Sequence, residues 1–164
     1  MNGNGKEYYN NGTLKFEGEY LNGKEWNVKG YKMSEIKNGK GLIKEYEDYG
    51  RCVFGLKFEG EYLNGERNGK GREYYKGGEL IFEGEYLNGK KWNGKGYNNR
   101  NEIIYELKNG KGFTKEYNHY GYLIFEGEYL NGERNGKGKE YFGGRLYFEG
   151  EYLNGKKWME WALM

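Results

Sequence analysis

Proline is absent from this 164-residue chain, and serine, cysteine, histidine and aspartate occur once each, as Ser34, Cys52, His119 and Asp48. Without proline, turns must be made by other residues, and no strand position loses its backbone donor. With single copies of the usual nucleophiles and bases, a serine or cysteine hydrolase would have to gather its members from far apart in the chain. One Cys and one His give no zinc-ligand spacing, and a lone Cys supplies no disulfide, which fits a reducing compartment. No apolar run approaches the length of a membrane-spanning helix, and Met1-Asn2-Gly3-Asn4-Gly5-Lys6 lacks the apolar core of a signal peptide. The sequon Asn11-Gly12-Thr13 is discounted for the same reason. Net charge is only +2, from 27 Lys+Arg against 25 Asp+Glu, so long-range steering toward nucleic acid is weak and no nucleic-acid partner is expected.

What the chain has instead is glycine, 31 residues, and aromatic rings, 19% of positions with 19 tyrosines. They are arranged periodically. The octapeptide Phe-Glu-Gly-Glu-Tyr-Leu-Asn-Gly starts at Phe16, Phe58, Phe82, Phe125 and Phe148. Phe16, Phe82 and Phe148 lie 66 residues apart and Phe58 and Phe125 lie 67 apart, so a super-repeat of about 66 residues is itself repeated. Asn88, Asn109, Asn131 and Asn154 divide it into units of about 22 residues. The first super-repeat is less regular, shortened around Tyr31 to Lys40 and expanded near Arg51 to Gly55, and local distortion is expected there.

In Phe82-Glu83-Gly84-Glu85-Tyr86 the rings and the glycine fall on one face of an extended strand and the two carboxylates on the other. Asn88-Gly89 then tolerates the positive φ angles of a tight hairpin turn. The return segment Asn68 to Tyr75 ends in a second class of turn at Lys76-Gly77-Gly78, matched by Asn11-Gly12, Gly121 and Gly143-Gly144. The pattern predicts an all-β array of tandem antiparallel hairpins over residues 1–158, an elongated, twisted, single-layer sheet. With strands about 4.8 Å apart, its length is on the order of 65–70 Å. A mean hydropathy of −1.16 leaves the rings to supply most of the buried area. Residues 159–164, Met-Glu-Trp-Ala-Leu-Met, break the pattern and read as an apolar, helix-compatible C-terminal cap, with docking to a partner or a membrane, or self-association, as alternatives. The chain opens inside a repeat, so its first strand edge and its C-terminal tail are candidates for homodimer contacts.

The run Phe82-Glu83-Gly84-Glu85-Tyr86-Leu87-Asn88-Gly89-Lys90 with Gly94-Lys95-Gly96-Tyr97 resembles the MORN (membrane occupation and recognition nexus) repeat. The resemblance extends from about Asn4 to Trp158. Asn68, Asn93 and Asn135 stand where that family often has His, and the Tyr105 to Asn109 unit has lost its strand glycine. The resemblance implies a hairpin array that organises protein complexes at membranes, cytoskeleton or cell-division structures, with phospholipid contact in some members. It implies a cytoplasmic protein, peripheral at such structures, with no enzymatic activity, no cofactor and no metal.

Three readings of the surface follow. The first is a protein scaffold whose contact residues are Phe16, Phe58, Phe82, Phe125 and Phe148 with Tyr20, Tyr62, Tyr86, Tyr129 and Tyr152. The second is a binder of anionic phospholipid through Lys90, Lys91 and Trp92 and through Lys156, Lys157 and Trp158, the cations facing phosphates and the indoles at interfacial depth. The third is a carbohydrate-binding array in which rings stack on sugars. Pairs such as Glu83/Glu85 lie about 7 Å apart on one strand face, a spacing a glycosidase could use. Five equivalent pairs on a solvated face instead read as a ladder neutralised by lysines, because catalysis needs unequal, shielded carboxyls.

Overall fold

The computed structural model describes residues 2–9, 12, 14–30, 35–48, 54–118 and 120–158. Three quarters of them are in strands and none is helical. The strands are β1 (Gly3–Tyr8), β2 (Leu14–Leu21), β3 (Lys24–Gly30), β4 (Glu35–Lys37), β5 (Lys40–Asp48), β6 (Phe54–Leu63), β7 (Glu66–Tyr74) and β8 (Leu80–Leu87). They continue as β9 (Lys90–Tyr97), β10 (Ile103–Leu107), β11 (Gly112–Tyr117), β12 (Leu123–Leu130), β13 (Glu133–Phe142), β14 (Arg145–Leu153) and β15 (Lys156–Trp158). Within each of two sheets, β1 to β10 and β11 to β15, every strand pairs antiparallel with its neighbours in sequence, and neither sheet is closed into a barrel. The expected tandem-hairpin architecture is therefore the observed one. The irregular stretches at Tyr31 and Arg51 and the proposed cap at 159–164 fall wholly or partly outside the described residues.

The turns follow the residue chemistry. Asn88 and Gly89 both adopt positive φ, 49° and 80°, and the other strand-linking Asn-Gly turns repeat this pair of angles. That backbone matches the right-handed twist of the flanking strands. Gly143-Gly144, grouped by sequence with the second class, is instead a two-residue turn like Asn-Gly, with φ of 56° and 76°. The second class proper is a three-residue loop that ends on a left-handed residue: Gly78, Asn101 and Gly121, with φ of 93°, 63° and 83°. In the latter two loops the side-chain oxygen of Asn98 or Asn118 accepts from backbone amides two and four residues on, at 3.0 Å. Neighbouring Asn-Gly turns are stitched together by backbone hydrogen bonds. Gly89 N donates to Arg67 O, Gly110 N to Trp92 O, Gly132 N to Gly110 O and Gly155 N to Arg134 O, at 2.7–2.9 Å.

Strand registry puts glycine opposite glycine. Gly60, Gly71, Gly84 and Gly94 are consecutive cross-strand partners, as are Gly127, Gly138 and Gly150. A Cβ on Gly71 would lie 2.6 Å from Phe58 Cζ, so the row is the bed on which the phenylalanine rings lie. On the opposite face the expected ladder is present. Lys44, Glu59, Arg72, Glu83, Lys95 and Glu106 are successive cross-strand partners of alternating sign, with contacts that include Arg72–Glu83 at 2.6 Å and Lys44–Glu59 at 3.5 Å.

Pairing is interrupted once, between β10 and β11, where a single bridge joins Lys108 to Lys111. The interruption coincides with loss of the glycine pair. Tyr105 stands in the strand-glycine position and lies against Gly96, and Thr114 stands where Gly71 and Gly138 stand in their units.

Candidate docking surface

On the aromatic face Phe58, Phe82 and Phe125 are 0% exposed. Their cover is ionic. The Arg67 guanidinium lies 4.0 Å from the Phe58 ring centroid and grips Glu45 with two hydrogen bonds, Nε at 2.8 Å and a terminal nitrogen at 2.9 Å. Its third nitrogen holds Glu73. Arg134 repeats the arrangement over Phe125 at 4.1 Å, with two bonds of 2.8 Å to Glu116 and one of 3.0 Å to Glu140. Lys91 lies 4.8 Å above Phe82 and pairs with Glu73 at 2.6 Å, and Lys157 lies 4.4 Å above Phe148 and pairs with Glu140 at 2.7 Å. Each unit is thus a sandwich of glycine backbone, ring and cation, with carboxylates fixing the cation.

The tyrosines complete the frame. Tyr86 stands edge-on between Phe58 and Phe82, and Tyr152 between Phe125 and Phe148, with centroids 5.2–5.7 Å apart. Tyr62 donates to Glu45, Tyr129 to Glu116 at 2.6 Å and Tyr152 to Glu140 at 2.9 Å. Burial and the adjacent carboxylates raise the pKa of Tyr62, Tyr129 and Tyr152. For Glu73, burial pushes the pKa up, but the charges of Lys91 and Arg67 outweigh it and hold the carboxylate below its ordinary value. Glu45 is depressed against burial by Arg67, and Glu140 by Lys157 and Tyr152.

This accounts for the ten rings expected at a partner interface. Phe16, Phe58, Phe82 and Phe125 with Tyr20, Tyr86 and Tyr152 are buried, and Phe148, Tyr62 and Tyr129 are half-buried. They are occupied in holding the sheet, so the outward-facing aromatic surface lies elsewhere. A sugar would find the same rings covered. The lysine and tryptophan rows are likewise divided. Lys90 bridges to Glu133 at 2.7 Å, while Lys91 turns to the ring face and Trp92 lies half-buried against Gly110. Lys157 is also on the ring face, which leaves Lys156 and Trp158 facing outward. The reason is the strand pleat, which sends successive side chains to opposite faces, with Trp92 left unpaired between Lys91 and Asn93.

Arg67, Arg134 and the carboxylates of the sandwich were not among the expected site residues, and Lys91 and Lys157 were expected to face lipid instead of a ring. The signal for them was present: the second residue after an Asn-Gly turn is Arg67, Lys91, Arg134 or Lys157.

Several concavities are found among the described residues, one of them of about 230 Å³ and lined by Phe16, Ile43, Glu45 and Tyr62. On the ladder face a trough of about 710 Å³ runs from Leu42 to Glu85, with a counterpart of about 480 Å³ from Phe113 to Glu151. They are lined by strand glycines, by Leu42 and Ile43 or Phe113, and by ions of the ladder face. On the ring face, at the β13–β14 end, Ile124, Arg134, Glu140, Tyr141, Phe142 and Tyr147 enclose a hollow of about 600 Å³. There the exposed rings gather: Phe142 is 82% and Tyr147 70% exposed.

No protein-family model matches the chain, and no curated protein matches it. Among the described residues no group of three or more His, Cys, Asp or Glu could hold a metal ion, and no helix is long and apolar enough to cross a membrane. Ser34, Cys52 and His119, the single nucleophile and base candidates, lie outside the described residues, as does the Asp48 side chain.

Proposed function

We propose that the chain is a MORN-type hairpin array acting as a non-enzymatic scaffold, which docks a protein partner on the ring face of its last described hairpins. The observation that carries this reading is the pair of exposed rings, Phe142 and Tyr147, at a 600 Å³ hollow, while the repeated rings are used internally. An exposed apolar cluster rimmed by Arg134 and Glu140 has the make-up of an interface centre with a polar rim. The ionic roof holds the face rigid, which lowers the ordering cost of docking. Affinity capture from the native cell tests this with three baits: the wild-type chain, a Phe142→Ser/Tyr147→Ser variant and a Lys70→Ala/Lys95→Ala variant of the ladder face. The partner is expected to be retained by the wild type and the ladder variant and lost by the ring variant. Retention by the ring variant would contradict the reading.

A further inference from the structure

We infer that the hollow at Phe142 and Tyr147 receives a tyrosine side chain carried on an extended strand of the partner protein. The inference rests on the docking reading above and specifies the ligand.

The template is inside the molecule. Every residue of the hollow has an equivalent 66 or 67 positions earlier: Lys57, Arg67, Glu73, Tyr74, Tyr75 and Ile81 stand for Ile124, Arg134, Glu140, Tyr141, Phe142 and Tyr147. Lys91 and Phe82 stand likewise for Lys157 and Phe148. In that earlier copy the space is filled. Tyr105, on strand β10, stacks on Phe82 with centroids 6.4 Å apart and planes 21° from parallel, and it lies within electrostatic reach of Lys91 and Glu73. Tyr117 closes the side of the space against Tyr75, 6.4 Å away, and the Tyr75 hydroxyl donates to Tyr97 O at 3.1 Å. Tyr75 is consequently 3% exposed where Phe142 is 82% exposed.

The frame of ring, cation and carboxylate at the later site is already assembled. Lys157 lies 4.4 Å from Phe148 and 2.7 Å from Glu140, as Lys91 does at 4.8 Å and 2.6 Å from Phe82 and Glu73. Tyr147, in place of Ile81, adds its ring 5.0 Å from Lys157, but no ring is stacked on Phe148 among the described residues as Tyr105 is on Phe82. A tyrosine fits both the apolar floor and the ion pair at its edge: its ring can stack on Phe148 and its hydroxyl reach Lys157 or Glu140. Because Tyr105 reaches its place from a strand, Ile103–Leu107, the incoming group belongs on a strand as well.

The test uses the full chain, labelled with nitrogen-15, and as probe a peptide of the chain's own residues 101–108, which contains Tyr105. Backbone amide shifts are recorded at millimolar peptide. Expected are shifts confined to the neighbourhood of Phe142, Tyr147 and Lys157, weakened about tenfold by Tyr105→Ala in the peptide or Phe142→Ala in the chain. Phe142 is exposed, so an otherwise unchanged spectrum of that variant confirms that it folds. Absence of shifts, or shifts indifferent to the peptide tyrosine, would overturn the inference. It would equally fall if shifts occurred only after removal of residues 159–164, since the chain's own tail would then fill the hollow. A doubled mass in solution that Phe142→Ala restores to the monomer would assign the hollow to a second copy and overturn it too. Should the peptide fail while partner capture still depends on Phe142 and Tyr147, the docking function stands and only the tyrosine assignment is lost.

Discussion

Tyr75 and Phe142 occupy the same place in successive super-repeats, yet one is buried and the other is among the most exposed rings described. Their own hairpins are nearly identical in sequence, from Asn64 to Tyr75 and from Asn131 to Phe142. The difference comes from what lies over them. In the first case Tyr97, Tyr105 and Tyr117 of the following unit close the face; in the second no described residue does so. In such an array a residue's burial is set by its neighbour more than by its own strand, as expected when stability is a sum of nearest-neighbour terms.

The sharpest way to break the comparison is to truncate both rings. Tyr75→Ala should cost about 3–5 kcal/mol, while Phe142→Ala should stay within about 0.5 kcal/mol of wild type, measured by denaturant unfolding. Removing the roof has a similar scale. Arg67→Ala leaves Glu45 with Tyr62 and Glu73 with Lys91 as their remaining partners and should cost up to about 3–5 kcal/mol. The cost at Arg134 should be smaller, because water entering the open hollow can hydrate Glu140. A methyl on the glycine bed comes next: Gly71→Ala drives a Cβ to 2.6 Å from Phe58 Cζ and should cost about 1–3 kcal/mol. Turn substitutions should erase the contrast. Asn88→Ala and Asn154→Ala, both at φ 49°, should each cost about 1–2 kcal/mol, because the left-handed strain is local to the turn. The smallest effect is acid sensitivity. Glu45, Glu73 and Glu140 are held below the ordinary value of 4.5, so their contribution is present above that pH and lost as pH falls through their lowered values. The Tm should therefore be level between pH 4.5 and about 10, where the raised tyrosines begin to count, and fall below pH 4.5, less steeply in Glu73→Gln.

Much of the fold was legible in the chain. The two-residue alternation of Phe-Glu-Gly-Glu-Tyr fixes which residues share a face, and Asn-Gly fixes where the chain reverses, both being local properties. The charged ladder followed from the same alternation. The site was less legible, because it depends on relations between units. Lys90-Lys91-Trp92 reads as one cationic edge in sequence, but the pleat and the unpaired Trp92 divide it between the faces. The rings read as surface, since the Arg67 and Lys91 roof that buries them comes from the return strand and is anchored on carboxylates of neighbouring strands. The bulges also shift side chains between faces: Tyr147 is left unpaired opposite Glu140 and Tyr141, beside Phe148 on the ring face. The break between β10 and β11 required knowing that Tyr105 lies against Gly96. The surface proposed for docking is correspondingly built from residues that no single octapeptide singles out.

Residue-resolved hydroxyl-radical footprinting of the folded chain measures the central contrast directly, because it reports the water access of each ring. Fast oxidation of Phe142 and Tyr147, with Tyr75, Phe58, Phe82 and Phe125 protected, is the predicted result. Equal reactivity of Tyr75 and Phe142, or reactive phenylalanines at 58, 82 and 125, would contradict both the ionic roof and the open hollow.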